Sequence, residues 1–118
     1  MGRYRIELSS SYDGWSRYGV RLICEEMDSY GERTGMRATS VQRGGVSVLA
    51  SGECTYIRIL AYIIPEEFPL DRKVGRTPEF ESLLRVECDG RVIASELLSV
   101  NVWGGISCEC EFDCAGRI

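Results

Sequence analysis

Residues 53–64, ECTYIRILAYII, closed by Pro65, form the longest apolar run in a chain of 118 residues. Read with period two, Ile57, Ile59, Ala61 and Ile63 share one face. Tyr56, Leu60, Tyr62 and Ile64 share the other, with Arg58 among them. The β-branched and aromatic content points to a strand rather than a helix. Two largely apolar faces require cover on both sides or an interface on one. The covered arrangement, a strand in the middle of two layers, is the expectation. The run carries Arg58 and falls short of the roughly 18–20 apolar residues of a membrane span.

Upstream of this run the same alternation recurs. Tyr4, Ile6 and Leu8 alternate with Arg3, Arg5 and Glu7, and Val20, Leu22 and Cys24 alternate with Arg21, Ile23 and Glu25. Between them lies the loop SSSYDGWSRYG, residues 9–19. Met27 to Gly35 is rich in turn formers. Met36 to Val41 and Val46 to Ser51 flank Gln42-Arg43-Gly44-Gly45, which predicts a tight hairpin on the glycine pair.

Downstream, Phe80 to Cys88 and Arg91 to Val102 flank Asp89-Gly90, the strongest hairpin signal in the chain. A two-residue loop pairs Cys88 with Arg91 and Val86 with Ile93. That puts Ile93 and Leu97 on the core face and Leu98 and Val100 off it, so a bulge is expected near Glu96 to Leu98. After Gly104-Gly105, a last strand alternates Ile106, Cys108, Cys110 and Phe112 with Ser107, Glu109 and Glu111. About eight short strands, no convincing helix and glycine turns predict an all-β fold. It is one domain over residues 1–118, an antiparallel β-sandwich with a partly open barrel as the alternative.

Several kinds of chemistry are excluded. The chain has no histidine, which removes Ser-His-Asp and Cys-His catalysis and histidine-bearing zinc sites. Net charge is −4, with 14 basic residues scattered among 18 acids, so no basic surface suits nucleic acid. No phosphate-cradling glycine loop is present, and the Asp residues are too dispersed for a calcium loop. Glu66-Glu67 and the pair Glu79 and Glu81 read as solvated surface charge rather than as paired catalytic carboxylates. The N-terminus enters a strand pattern with no signal-peptide core, which leaves the compartment undetermined with the cytoplasm favoured; a secreted origin requires a leader already removed.

Six cysteines, Cys24, Cys54, Cys88, Cys108, Cys110 and Cys114, admit three readings. An all-thiolate zinc site would use Cys108, Cys110 and Cys114 with Cys88 or Cys24. Two cysteines at i and i+2 on a strand have Cα atoms roughly 6.5–7 Å apart, too far to converge on one ion without a bend. A disulfide framework is the second reading, with no pairing selected by the sequence and Cys108–Cys110 disfavoured by the same spacing. Core thiols are the third, and the pattern favours them. Every cysteine has an acidic neighbour, so Glu or Asp faces water while Cys faces inward. No metal and no cofactor are expected.

Two surface leads remain. Tyr12, Trp15 and Tyr18 stand among Ser, Gly, Asp and Arg, the mixture that binding loops use. With Trp103 they would stack on sugar rings, unless they fold back to cap the core. Residues 65–78, PEEFPLDRKVGRTP, place Phe68, Leu70 and Val74 beside Arg72, Lys73 and Arg76, which suits a partner surface. The functional expectation is a non-enzymatic module that binds another protein or assembles with itself, as an inhibitor, accessory or structural component. A carbohydrate-binding module is the runner-up, and an enzyme working without histidine comes third.

Overall fold

A computed structural model of the chain describes residues 1–65, 80–100 and 108–118. The elements are β1 (Gly2–Ser9), a single 3-10 turn (Trp15–Arg17), β2 (Tyr18–Met27), β3 (Arg33–Ala38), β4 (Gln42–Arg43) and β5 (Ser47–Cys54). They continue with β6 (Tyr56–Pro65), β7 (Phe80–Cys88), β8 (Arg91–Val100), β9 (Cys108–Asp113) and β10 (Gly116–Arg117). Two antiparallel sheets face one another. The first has the order β5-β1-β7-β8, and the second β10-β9-β6-β2-β3 with β4 also on β2. This is the expected all-β sandwich.

The core comes from the alternation. Tyr4, Ile6 and Leu8 of β1 and Leu84 and Val86 of β7 point inward from the first sheet. Val20, Leu22 and Cys24 of β2, Ile57, Ile59, Ala61 and Ile63 of β6, and Phe112 of β9 meet them from the second. Strand β6 is central, held by β2 along its whole length and by β9 on its other side.

The run 53–64 is not one strand. Glu53 and Cys54 end β5 in the first sheet, and Tyr56 begins β6 in the second. Thr55 alone makes the crossing. Its N–H donates to the Met27 carbonyl at 3.1 Å, and its carbonyl accepts from the Tyr4 hydroxyl at 3.0 Å. Both backbone groups of Thr55 thus gain a partner, one from β2 and one from the Tyr4 side chain of β1.

Two further expectations change in detail. Gly44 and Gly45 do take positive φ, 61° and 62°. They do not close a hairpin: β3 pairs with β2 in the second sheet, and β5 pairs with β1 in the first. A glycine pair reverses the chain locally, and which neighbour receives the next strand is decided by the core face it buries. In the β7–β8 hairpin, Asp89 and Gly90 both adopt the left-handed conformation a two-residue turn needs, φ 51° and 81°. The bulge sits immediately after it. Glu87 pairs with Val92 and Val86 with Ala94, leaving Ile93 as the extra residue. Everything beyond shifts phase earlier than expected. Leu98 therefore lies opposite Ser82 and packs on the core, whereas Leu97 lies opposite Leu83 and is 66% exposed.

The two faces of β6 differ enough to be separated by mutation. Ile59→Ala is expected to cost about 2–5 kcal/mol, the usual range for truncating a core side chain. Ile64→Ala, at a position 41% exposed, is expected to cost under about 1 kcal/mol. Urea denaturation of the two variants against wild type checks this.

Candidate functional site

The aromatic loop turns inward. Trp15 is 5% and Tyr18 7% exposed. The Trp15 indole Nε1–H donates to the Gly45 carbonyl at 2.9 Å, which satisfies its one polar atom. Tyr12, half-buried, stacks on Phe80 with ring centroids 4.3 Å apart, and Tyr18 lies 5.0 Å from the same ring. The cluster caps the end of the sandwich, so Trp15 and Tyr18 offer no flat face to a sugar or a partner. Phe68, Leu70, Arg72, Lys73 and Arg76, and likewise Trp103, lie outside the described residues.

The outward faces of the two sheets are unlike. On the first, Arg5 and Glu7 of β1 stand opposite Glu87 and Arg85 of β7. Each arginine meets both carboxylates, including Arg85–Glu87 at 3.2 Å and Arg5–Glu87 at 3.7 Å. This four-charge ladder is a solvated surface, with Leu83 and Leu97 as a small apolar pair farther along.

The second sheet is apolar over part of its outward face. Ile23 of β2 lies opposite Leu60 of β6, Arg21 opposite Tyr62, and Gly19 opposite Ile64. Leu60, Tyr62 and Ile23 are half-buried. Ile64 is exposed, as are Met36 of β3 and Val41. Gly19 explains how Val41 joins this strip: a Cβ there would stand 2.7 Å from Val41 Cγ1. With no side chain at Gly19, Val41 can lie over the strand there, opposite Ile64 in the register. Arg58, bonded through Nε to Glu109 at 3.1 Å, and the Arg33–Glu25 pair at 3.5 Å edge the strip with both signs of charge. Among the described residues no second layer packs on this face. Among the described residues the inner face of β6 is buried, and the outer one, half-buried at Leu60 and Tyr62 and exposed at Ile64, carries no second layer; the expected cover on that side finds no counterpart among them.

The cysteines divide by position. Cys88, at the end of β7, is bridged to Cys114, in the turn between β9 and β10, with Cα atoms 5.6 Å apart. The bridge ties the first sheet to the second. It overturns the core-thiol reading for these two residues and removes two of the thiolates that the zinc reading needed. Among the described residues, Cys88, Asp89 and Cys114 do place ligand atoms within 4.8 Å of one another, but the bridge leaves the carboxylate as the sole anionic donor there. Cys24 and Cys54 are free and buried. Burial, then the Cys54 sulfur, pushes the Cys24 thiol up to about 12. Such a thiol stays neutral and acts as a small core hydrophobe. Cys108 and Cys110 are also free, and their sulfurs lie 3.3 Å apart. Cα spacing along a strand did not reveal this, because side-chain rotamers carry the two sulfurs toward each other.

Two solution behaviours follow. The Cys88–Cys114 bridge closes a segment with a sequence separation of 26. Reduction should therefore cost about 3–4 kcal/mol on the loop-entropy estimate, read as a lower denaturant midpoint under dithiothreitol. A Cys88→Ala/Cys114→Ala variant should show that lower midpoint with or without reductant. The second concerns alkali. Tyr4 is pushed up from 10.0 to about 12, first by burial and then by the Cys54 sulfur. Cys24 rises from 9.0 to about 12. Both folded values exceed the unfolded ones, so above about pH 9 the unfolded chain releases protons that the folded chain retains. Stability should hold below that pH and fall between about pH 9 and 12. Cys24→Ala should flatten the fall at its lower end in denaturation series run across this window.

Among the described residues no helix is long and apolar enough to cross a membrane. Compared with models of known protein families, with curated proteins and with solved structures, the chain matches none.

Proposed function

We propose that the chain is a non-enzymatic protein-binding module that works through the outward face of its second sheet. The observation that carries this is the apolar strip of Ile23, Leu60, Tyr62 and Ile64, extended by Met36 and Val41, on a face with no second layer among the described residues. Contiguous exposed apolar surface rimmed by charge is the ordinary anatomy of a docking surface. The rim here carries Arg21 and Arg58 as well as Glu25 and Glu109. Both signs together suit a second copy related by a two-fold axis, which sets positive against negative across the contact. Self-association is therefore the first occupant to test.

The inward-facing Trp15 and Tyr18 take away the support for a sugar-binding surface at that loop. The Cys88–Cys114 bridge supports an oxidising compartment rather than the cytoplasm, since such bridges persist where thiols are not kept reduced.

Sedimentation velocity over a micromolar concentration series is the test. A reversible dimer is expected, weakened at least about tenfold by Ile64→Glu, as for a central interface residue. Leu97→Glu, on the opposite sheet, should leave it unchanged. A strict monomer overturns self-association. A dimer indifferent to Ile64→Glu but lost with Leu97→Glu overturns the assignment of the face.

A further inference from the structure

At one flank of the sandwich β8 of the first sheet passes β10 of the second, beside β9. Cys108 and Cys110 sit there, on the inward face of β9, opposite Ala61 and Ile59 of β6. Toward its other side β9 pairs with β10 at Phe112 and Asp113, and Ile118 N–H donates to the Glu111 carbonyl at 3.0 Å, so among the described residues this pairing stops short of Cys108 and Cys110. Cys108 is half-buried and so partly exposed, while Cys110 lies deeper at 6% exposure. The early bulge in β8 turns Glu96 into this flank, opposite Leu84, and Arg117 of β10 reaches across to it at 3.0 Å. The flank thus holds two sulfurs in contact and one ion pair that joins the sheets beside them.

We propose that Cys108 and Cys110 form a redox-active dithiol that exchanges with low-molecular-weight disulfides, Cys108 attacking and Cys110 resolving. Contact at 3.3 Å lets one sulfur donate its S–H to the other. The Cys108 thiol is lowered from its ordinary value, first by the hydrogen bond from Cys110 and further by the Arg117 guanidinium. Burial, Glu96 and Glu109 oppose this. Cys110 is raised, first by that same hydrogen bond and then by burial. The outer sulfur is thereby the better thiolate and the inner one holds the proton. Cys24 and Cys54, both raised, have no such arrangement.

The exchange balances without a further reagent. The Cys108 thiolate attacks one sulfur of R–S–S–R; that bond breaks, and RS⁻ leaves and takes up a proton from solvent. Cys110 gives its proton to water as it attacks Cys108 Sγ, and the second RS⁻ leaves and is protonated. The substrate disulfide gains two electrons and the dithiol loses two. Residues i and i+2 of an extended strand have Cα atoms roughly 6.5–7 Å apart, at the upper limit for a bridge, so the Cys108–Cys110 bond would form under strain and reopen readily. That lability suits exchange and distinguishes the pair from the Cys88–Cys114 bridge.

The experiment uses the full chain with Cys88–Cys114 intact, incubated with oxidised glutathione and mapped by peptide mass. Wild type should lose two hydrogens from the peptide carrying both residues and keep no glutathione. Cys110→Ser should retain one glutathione on Cys108, and Cys108→Ser should react at Cys110 at least about tenfold more slowly. Independently of any variant, one equivalent of phenylarsine oxide on wild type should shield both sulfurs from iodoacetamide and leave Cys24 and Cys54 unaffected. Persistence of both free thiols in wild type, a stable glutathione adduct that never resolves, preferential reaction at Cys110, or failure of the arsenical to shield the pair each overturns the proposal.

Discussion

Burial of one face of β6 is the constraint on which the rest of the architecture depends. Four apolar residues at period two, Ile57, Ile59, Ala61 and Ile63, cannot be hidden by the strand's own sheet. They need a second sheet at roughly 10 Å, the ordinary spacing of packed β layers. The first sheet supplies Tyr4, Ile6, Leu8, Leu84 and Val86 for that purpose. Backbone pairing adds a second demand. As the central strand of its sheet, β6 requires β2 and β9 as neighbours, and these bring Leu22, Cys24, Cys110 and Phe112 into the same core.

Most of this was legible in the sequence, since strand alternation and turn chemistry are local. Tyr4, Ile6, Leu8, Val20 and Leu22 took the faces their spacing assigns, and Asp89-Gly90 made the tight turn it encodes. Sheet membership was less legible. Nothing local at Thr55 marks a crossing, and nothing at Gly44-Gly45 says that the strand after it joins the opposite sheet. The bulge at Ile93 was expected in kind but displaced, because one unpaired residue anywhere between the turn and Leu98 restores the same final phase.

The functional features were harder to read for a related reason. Aromatic content left the loop open between a binding surface and a cap, and the fold takes Trp15 and Tyr18 as the cap, with the indole N–H satisfied by Gly45. Conversely, the outward face of β6, without a second layer among the described residues, looks in sequence like any buried strand. The cysteines show the limit most clearly. All six share acidic neighbours, but one pair bridges the sheets, one is sealed in the core, and one meets in contact on β9. Three-dimensional position, not flanking sequence, separates them.

The single-residue corner at Thr55 gives the molecule an unusual mechanical character. A long connection would let the two joined strands shift independently along their neighbours; a junction of one residue couples their positions. Strand β5 cannot shift its register on β1 without dragging β6 along β2, and a one-residue slip would turn the whole inward row of β6 to solvent. The two layers therefore share one phase. A register error in either sheet is thus carried through Thr55 into the other.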